Sequence, residues 1–221
     1  MNDTIYEAIV STRAPDGRAH AAPMGIRYRE DTAGRPQVLL MPFRPSATLD
    51  HILHGRCAVL NRVVDGRVYA GCITGRRDWP QRPALHVDCG VLEAALSHAE
   101  LRLARIEDDA QRPRLWFDVV HEAQHAPFLG LNRAQAAVVE GAVLVSRLHL
   151  LPADKIRREF AWLQIAIDKT ARPQEHEAWS WLRAAVDAHL AAQAGGVDAV
   201  DAADDPLRPT GLGGSSRWVE P

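Results

Sequence analysis

Hydrophobic positions change their period part-way along the chain. Up to about residue 130 they fall in short runs broken by turn dipeptides, Asp16-Gly17, Ala33-Gly34 and Asp65-Gly66 among them. That is the punctuation of strands and turns. The runs predict strands over 5–10, 37–41, 58–64 and 67–73, with a hairpin turning at Asp65-Gly66. Residues 91–106 suit one long strand or two, and Leu115, Phe117 and Val119 alternate with more polar neighbours. One short helix is expected over 46–54, with Gly55 placed to end it.

Beyond Asn132 the period becomes helical. Ala134, Ala137, Val138, Gly141, Leu144, Val145 and Leu148 recur at steps of three and four, which is one helix face, and Asn132 suits its N-cap. Pro152 opens a second helix with Ile156, Phe160, Leu163 and Ile167 on one stripe. A third follows Pro173, with Ala178, Trp181, Leu182, Ala185 and His189 inward. Gly195-Gly196 is expected to end the regular structure. The chain thus divides into a strand-rich unit over 1–130, a helical region over 131–192 packed on it, and a tail over 193–221. The tail is too poor in apolar groups to fold. Strands first and helices last make an α+β protein. Neither a GxGxxG nor a GxxxxGK[ST] motif occurs, so a Rossmann or P-loop reading has no support.

Composition narrows the setting. Hydrophobic residues make up 47% of the 221, enough to bury a core. Lys and Arg number 26 against 28 Asp and Glu, which gives no reason to expect a nucleic-acid or membrane partner. Cys57, Cys72 and Cys89 are too scattered for a metal motif and read as free thiols of a reducing compartment. The start of the chain has no signal-peptide pattern. No window approaches the roughly 18 apolar residues of a membrane span. The expected location is the cytoplasm.

Candidate chemistry lies first in residues 41–55, where a strand runs into Arg44-Pro45 and a helix opens at Ser46 and Thr48. Free amides and the dipole at a helix start favour an anion, the hydroxyls can donate, and Arg44 offers bidentate charge. The same residues would also serve as a plain N-cap and a surface charge. A second stretch, HAAPMGI over 20–26, has small residues, Pro23 and Met24 in extended backbone, and Gly25 permits close approach of a flat ligand. Alone it would equally suit a strand end with a tight bend.

Taken in order, HAAPMGI, MPFRPSATLDHI and AVLNRVV resemble the FMN-binding split-barrel superfamily of flavoredoxins and flavin reductases. The span from Ile5 to about Leu190 is similar to an uncharacterised family within it. The shared features are an IYE-like first strand, an APMG loop, the helix NRAQAAVVEGAVLVSR and an IDKTxxPxExEAW ending. The resemblance implies a split β-barrel followed by three helices. It puts an FMN phosphate near Arg44, Ser46, Thr48 and Asn61, and the ring against Pro23, Met24, Gly25 and Met41. It further implies a homodimer with flavin at the subunit interface, a flavin-dependent oxidoreductase of flavin reductase type, and a link to pterin-dependent one-carbon metabolism. A non-catalytic binding or assembly protein on the same barrel stays open.

One motif competes. His121-Glu122-Ala123-Gln124-His125 matches HExxH, the zinc hydrolase pattern, which on a helix puts both His on one face. Pro113 and Pro127 confine any such helix, and Leu131 stands where the longer motif needs a third ligand. Leu115, Phe117 and Val119 read equally as a strand, so no metal is assigned and the two His are taken as strand or loop residues. Cys72 is expected to be a buried, inert thiol. Trp162, Trp179 and Trp181 are expected to pack, and Lys169 to meet the negative end of its helix. Arg133 and Glu140 share a helix face, solvated or bordering the ligand cleft or a dimer seam.

Overall fold

Strand pairing closes the first half of the chain on itself. The computed structural model describes residues 3–201. Its eight strands are β1 (Tyr6–Arg13), β2 (Ala19–Glu30), β3 (Pro36–Leu40), β4 (Cys57–Val63), β5 (Gln81–Pro83), β6 (Gly90–Leu92), β7 (Ala95–Glu107) and β8 (Arg114–Gln124). Six of them form a closed antiparallel barrel in the order β1-β2-β3-β8-β7-β4, while β5 and β6 make a small separate ribbon. Alternation along each strand sorts the side chains. Ala8, Val10, Ile26, Val38, Leu40, Leu60, Leu101 and Phe117 fill the barrel, and the helix α1 (Ala47–Gly55) adds Leu49 and Ile52 to that core.

Ile9 faces the other way, into a second core built with Val63, the helix α2 (Gly66–Ile73) and three later helices. These are α3 (Arg133–Val145), α4 (Ala153–Thr170) and α5 (Pro173–Asp201). Residues 67–73 are therefore helical, not the expected strand, and no hairpin forms at Asp65-Gly66. Asp65 caps α2 by accepting from the Arg67 amide at 3.0 Å. Gly66 is there for packing: a Cβ on it would lie 2.8 Å from Val138 Cγ1. The aspartate–glycine pair signals a helix start pressed against α3, and a turn only superficially.

Other boundaries differ in smaller ways. Gly55 is the last residue of α1, and Arg56 takes the left-handed conformation at φ 57° that closes it. Residues 91–106 split between β6 and β7. The His121–His125 motif lies on and just past β8, so its residues follow a strand period and the helical zinc geometry does not exist here. Asn132 caps α3 through the Ala134 and Gln135 amides as expected. In α5 the buried stripe is Ala178, Trp179, Leu182 and Val186. Trp179 packs as expected, stacking on Phe160 at 4.3 Å, and Trp181 is partly buried against the same core. Trp162, also expected to pack, is 74% exposed. The α5 backbone carries through Gly195-Gly196 to Asp201, and the rest of the expected tail, 202–221, lies outside the described residues. Cys57 and Cys89, far apart in sequence, come to 3.5 Å as free thiols. Among the described residues no helix is long and apolar enough to cross a membrane.

Candidate ligand cleft

A cleft opens where β2, the chain leaving β3 and the end of α3 converge. The antiparallel register sets Pro23 opposite Ile9 and Met24 opposite Ala8, so this stretch of β2 is held extended along the barrel wall. After Leu40 the chain leaves the sheet as Met41-Pro42-Phe43 and enters α1 at Ser46. The resulting cavity, of about 340 Å³, is lined by Pro23, Met24, Gly25, Met41, Ser46 and Thr48 from these segments. Across from them stand Val139, Ala142, Val143, Ser146 and Arg147 of α3 and its end. Six of the eight residues expected from sequence are thus brought together.

Its polar groups are few and placed. Ser46 Oγ accepts from the Leu49 amide at 3.3 Å, which leaves the first-turn amides of Ala47 and Thr48 ahead of the intrahelical ladder. Thr48 Oγ1 and His20 Nε2 lie 3.1 Å apart. Burial, with His51 beside it, lowers the His20 pKa and favours its neutral ring. Arg112 adds a cation over the Phe43 ring at 4.4 Å and donates through Nη2 to the Met41 carbonyl at 3.1 Å. Arg147 adds a second cation, and Glu7 stands across the cleft. Partial burial, with Glu140 adding its charge, raises the Glu7 pKa. Burial raises that of Tyr69 as well, so its phenol stays protonated.

Two expected residues do not line the cleft. Arg44 turns to Asp108, its Nη2 at 3.0 Å from Oδ1. Asn61 is fully buried in the barrel wall, where Nδ2 donates to Ser11 Oγ at 2.9 Å and Oδ1 accepts from the Leu92 amide at 2.8 Å. With those bonds made, Asn61 has nothing left to offer a phosphate. Sequence reasoning in turn missed Arg112, which lies in a turn far along the chain from the helix it faces. Arg112 and Arg114 on either side of Pro113 were the only local signal. Cys72 lies beside the Ala21 carbonyl at 3.5 Å, and burial pushes its thiol up to about 11, which makes it unreactive.

A larger groove of about 550 Å³ adjoins the cleft along α3 and α4, sharing Val143 and Arg147 with it and carrying Lys155, Arg158 and the exposed Trp162. It includes the start of α4, flanked by Leu151 and Lys155, but no extended backbone edge. The smaller cleft joins the extended edge of β2 to a helix start, which a ligand with a flat ring and a phosphate would use.

Known proteins point the same way on fold. Among curated proteins none matches this chain. The crystal structure of an FMN-bound protein from Methanosarcina mazei, assigned to DUF447, is similar over 83% of this chain and 96% of its own. Identity is 19% and the TM-score 0.69. A 2-nitrobenzoate 2-nitroreductase from Pseudomonas fluorescens is similar over 57% of this chain and 66% of its own, at 20% identity and a TM-score of 0.48. An FMN-binding protein from Thermus thermophilus is similar over 54% and 71%, at 18% identity and 0.46. The fold is the expected α+β split barrel followed by helices. Residues 6–126 match the model of the N-terminal domain of DUF447, described as a protein of unknown function, and residues 132–184 match its companion model. The chain belongs to the DUF447 family.

Proposed function

We propose that this protein binds FMN in the cleft between β2, the start of α1 and the end of α3. The observation that carries the reading is the cleft itself, which joins an extended backbone wall to the start of α1 and two arginines. The FMN-bound family member of the same fold supports it. Ser46, Thr48, the first-turn amides of α1 and Arg112 hold the phosphate. Pro23, Met24, Gly25 and Met41 hold the ring, with Val139 and Ala142 excluding water from its far side. When bound, FMN supplies hydride and single-electron chemistry. The chain's own part is to orient the ring, keep the site dry and offer Arg147 to an anionic group.

On this reading the protein is a flavin reductase-like oxidoreductase, a cytoplasmic homodimer with flavin at the subunit interface. Residues 1–130 form the flavin unit and 131–192 the helical cover. A place beside pterin-dependent one-carbon metabolism is proposed with it. The cleft favours one second reading, a flavin-binding protein without a reaction of its own. Tyr69 is held protonated there, and Glu7 is the only carboxylate on its lining.

Titration of FMN fluorescence against purified protein tests the proposal. Saturable quenching is expected in the wild type. The double change Ser46→Ala, Arg112→Ala is expected to weaken binding at least roughly tenfold, since bonds to a charged phosphate contribute about 1.5–3 kcal/mol each. Arg44→Ala is expected to change little. Absence of quenching, or a double variant that binds like wild type, would overturn the assignment.

A further inference from the structure

On the far side of the barrel a cluster of histidines gathers around a buried carboxylate that the flavin reading does not use. The pairing of β7 with β8 sets Glu100 opposite His121 and His98 opposite Ala123. With a side-chain period of two, His98 and Glu100 share one face. Ala99 and Leu101, between and beside them, fill the barrel core, so this face looks outward. It is nonetheless covered. The segment between β5 and β6 folds over it and donates the Leu85 and His86 amides to the two Glu100 oxygens, at 2.8 and 2.6 Å. Glu100 is 0% exposed and His98 4%.

Burying a carboxylate is costly unless it is well paired. Among the described residues no Lys or Arg forms an ion pair with Glu100. Its one ionisable contact, His98 Nε2 to Oε1, is 3.4 Å long, beyond the usual 2.7–2.9 Å or so of a charge-assisted bond. Ligand-capable atoms of His98, Glu100 and His121 all lie within 4.8 Å of one another. A tetrahedral centre with bonds of about 2.0–2.2 Å keeps its ligand atoms roughly 3.3–3.6 Å apart, so a modest contraction suffices. The far nitrogen of His98 is already held, Nδ1 lying 2.8 Å from His125 Nε2, with the two rings stacked at 5.0 Å. Arg82 Nη2 approaches the same His125 Nε2 at 2.7 Å, and such outer partners orient a ligating imidazole. The His86 ring lies 5.0 Å from that of His121.

We propose that His98, Glu100 and His121 bind a divalent cation of the zinc class, with His86 in reach as the fourth ligand. Two imidazoles and a carboxylate are the donor set such ions take. The ion would pin the covering segment to the β7–β8 face. This is not the hydrolase motif: Glu122, which that motif needs as its base, lies on the alternate face and pairs with Arg62 at 2.6 Å.

Untagged protein stripped with a chelator and then titrated with Zn²⁺, and separately with Co²⁺, tests this directly. One Zn²⁺ per chain is expected, and Co²⁺ should give the intense visible bands of a four-coordinate centre. Glu100→Gln and His121→Gln should each weaken Zn²⁺ binding roughly a hundredfold or more, and His125→Gln about 10–100-fold. His54→Gln, on the exposed side of α1, should leave binding unchanged. Wild-type protein that takes up no stoichiometric metal would overturn the site, as would variants at Glu100 and His121 that bind like wild type. Should a variant fail to fold, the wild-type stoichiometry and Co²⁺ spectrum still decide. FMN quenching, read on the same samples, is independent of either result.

Discussion

Asn61 illustrates how one side chain can look functional and be structural. In sequence it sits in the AVLNRVV run where a phosphate partner was expected, yet its carboxamide joins β1, β4 and β6 inside the wall. Beyond the bonds already described, Nδ2 also reaches the Ile9 and Val59 carbonyls at 3.2 and 3.3 Å. Truncation would leave the buried Leu92 amide unpaired, a loss of about 1–3 kcal/mol. Asn61→Ala should therefore lower the urea midpoint clearly while the folded protein keeps wild-type FMN affinity. A variant of normal stability but impaired FMN binding would return Asn61 to the ligand. Ser46, by contrast, was legible because an N-cap and an anion site share the same local signature. Arg112 was not, because nothing local connects it with a helix start so distant in sequence.

At the scale of elements, two sequence motifs turn out to be one joint. The Asn132 side chain that caps α3 also donates to the Thr170 carbonyl at 3.1 Å, and the Ala134 amide donates to Thr170 Oγ1 at 3.0 Å. The NRAQ and IDKT segments are thus tied end to end. Just beyond, Glu175 returns a bond to the Arg172 amide at 2.9 Å and takes the Arg172 guanidinium at 2.8 Å, the reciprocal arm of a capping box at the start of α5. Burial by itself raises the Glu175 pKa, but the Arg172 bonds outweigh it and hold the carboxyl below the usual glutamate range. A carboxyl depressed on folding adds stability that is fully present above its unfolded value, near 4.3, and disappears as pH falls through the folded value. The stability gap between wild type and Glu175→Gln, from urea unfolding, should accordingly be largest at neutral pH and shrink as the solution is acidified below about 4. A gap that stays constant down to pH 3 or so would show that the carboxylate is not the stabilising form. Helical periods of this kind were readable from sequence over α3 and α4. The period failed at α2, where the residues after Asp65-Gly66 fit a strand as well as a helix and only the close contact of Gly66 with Val138 decides between them.

For the whole molecule, two cores share one wall. Ala8 and Val10 of β1 face the barrel while Ile9 faces the helices. α3 packs on α2, α4 and α5, and its residues line the cleft together with those of β2. The class, strands first and helices last, was visible in the sequence because the period changes near Asn132, although α2 lies in the first half and was expected as a strand. The cleft was half visible, since β2 and α1 announce themselves but their cover depends on how α3 docks. The histidine cluster was hidden by the same logic, because an HExxH string suggests a helix while the ligand set runs across two strands. The functional reading turns on whether the cleft holds flavin. The absorbance spectrum of purified protein, taken after adding FMN and removing the excess by gel filtration, addresses that most directly. The flavoprotein reading predicts near-ultraviolet and blue flavin bands that travel with the protein at about one FMN per chain. A colourless protein after gel filtration, with FMN fluorescence unchanged on mixing, would contradict it and leave the barrel without its proposed ligand.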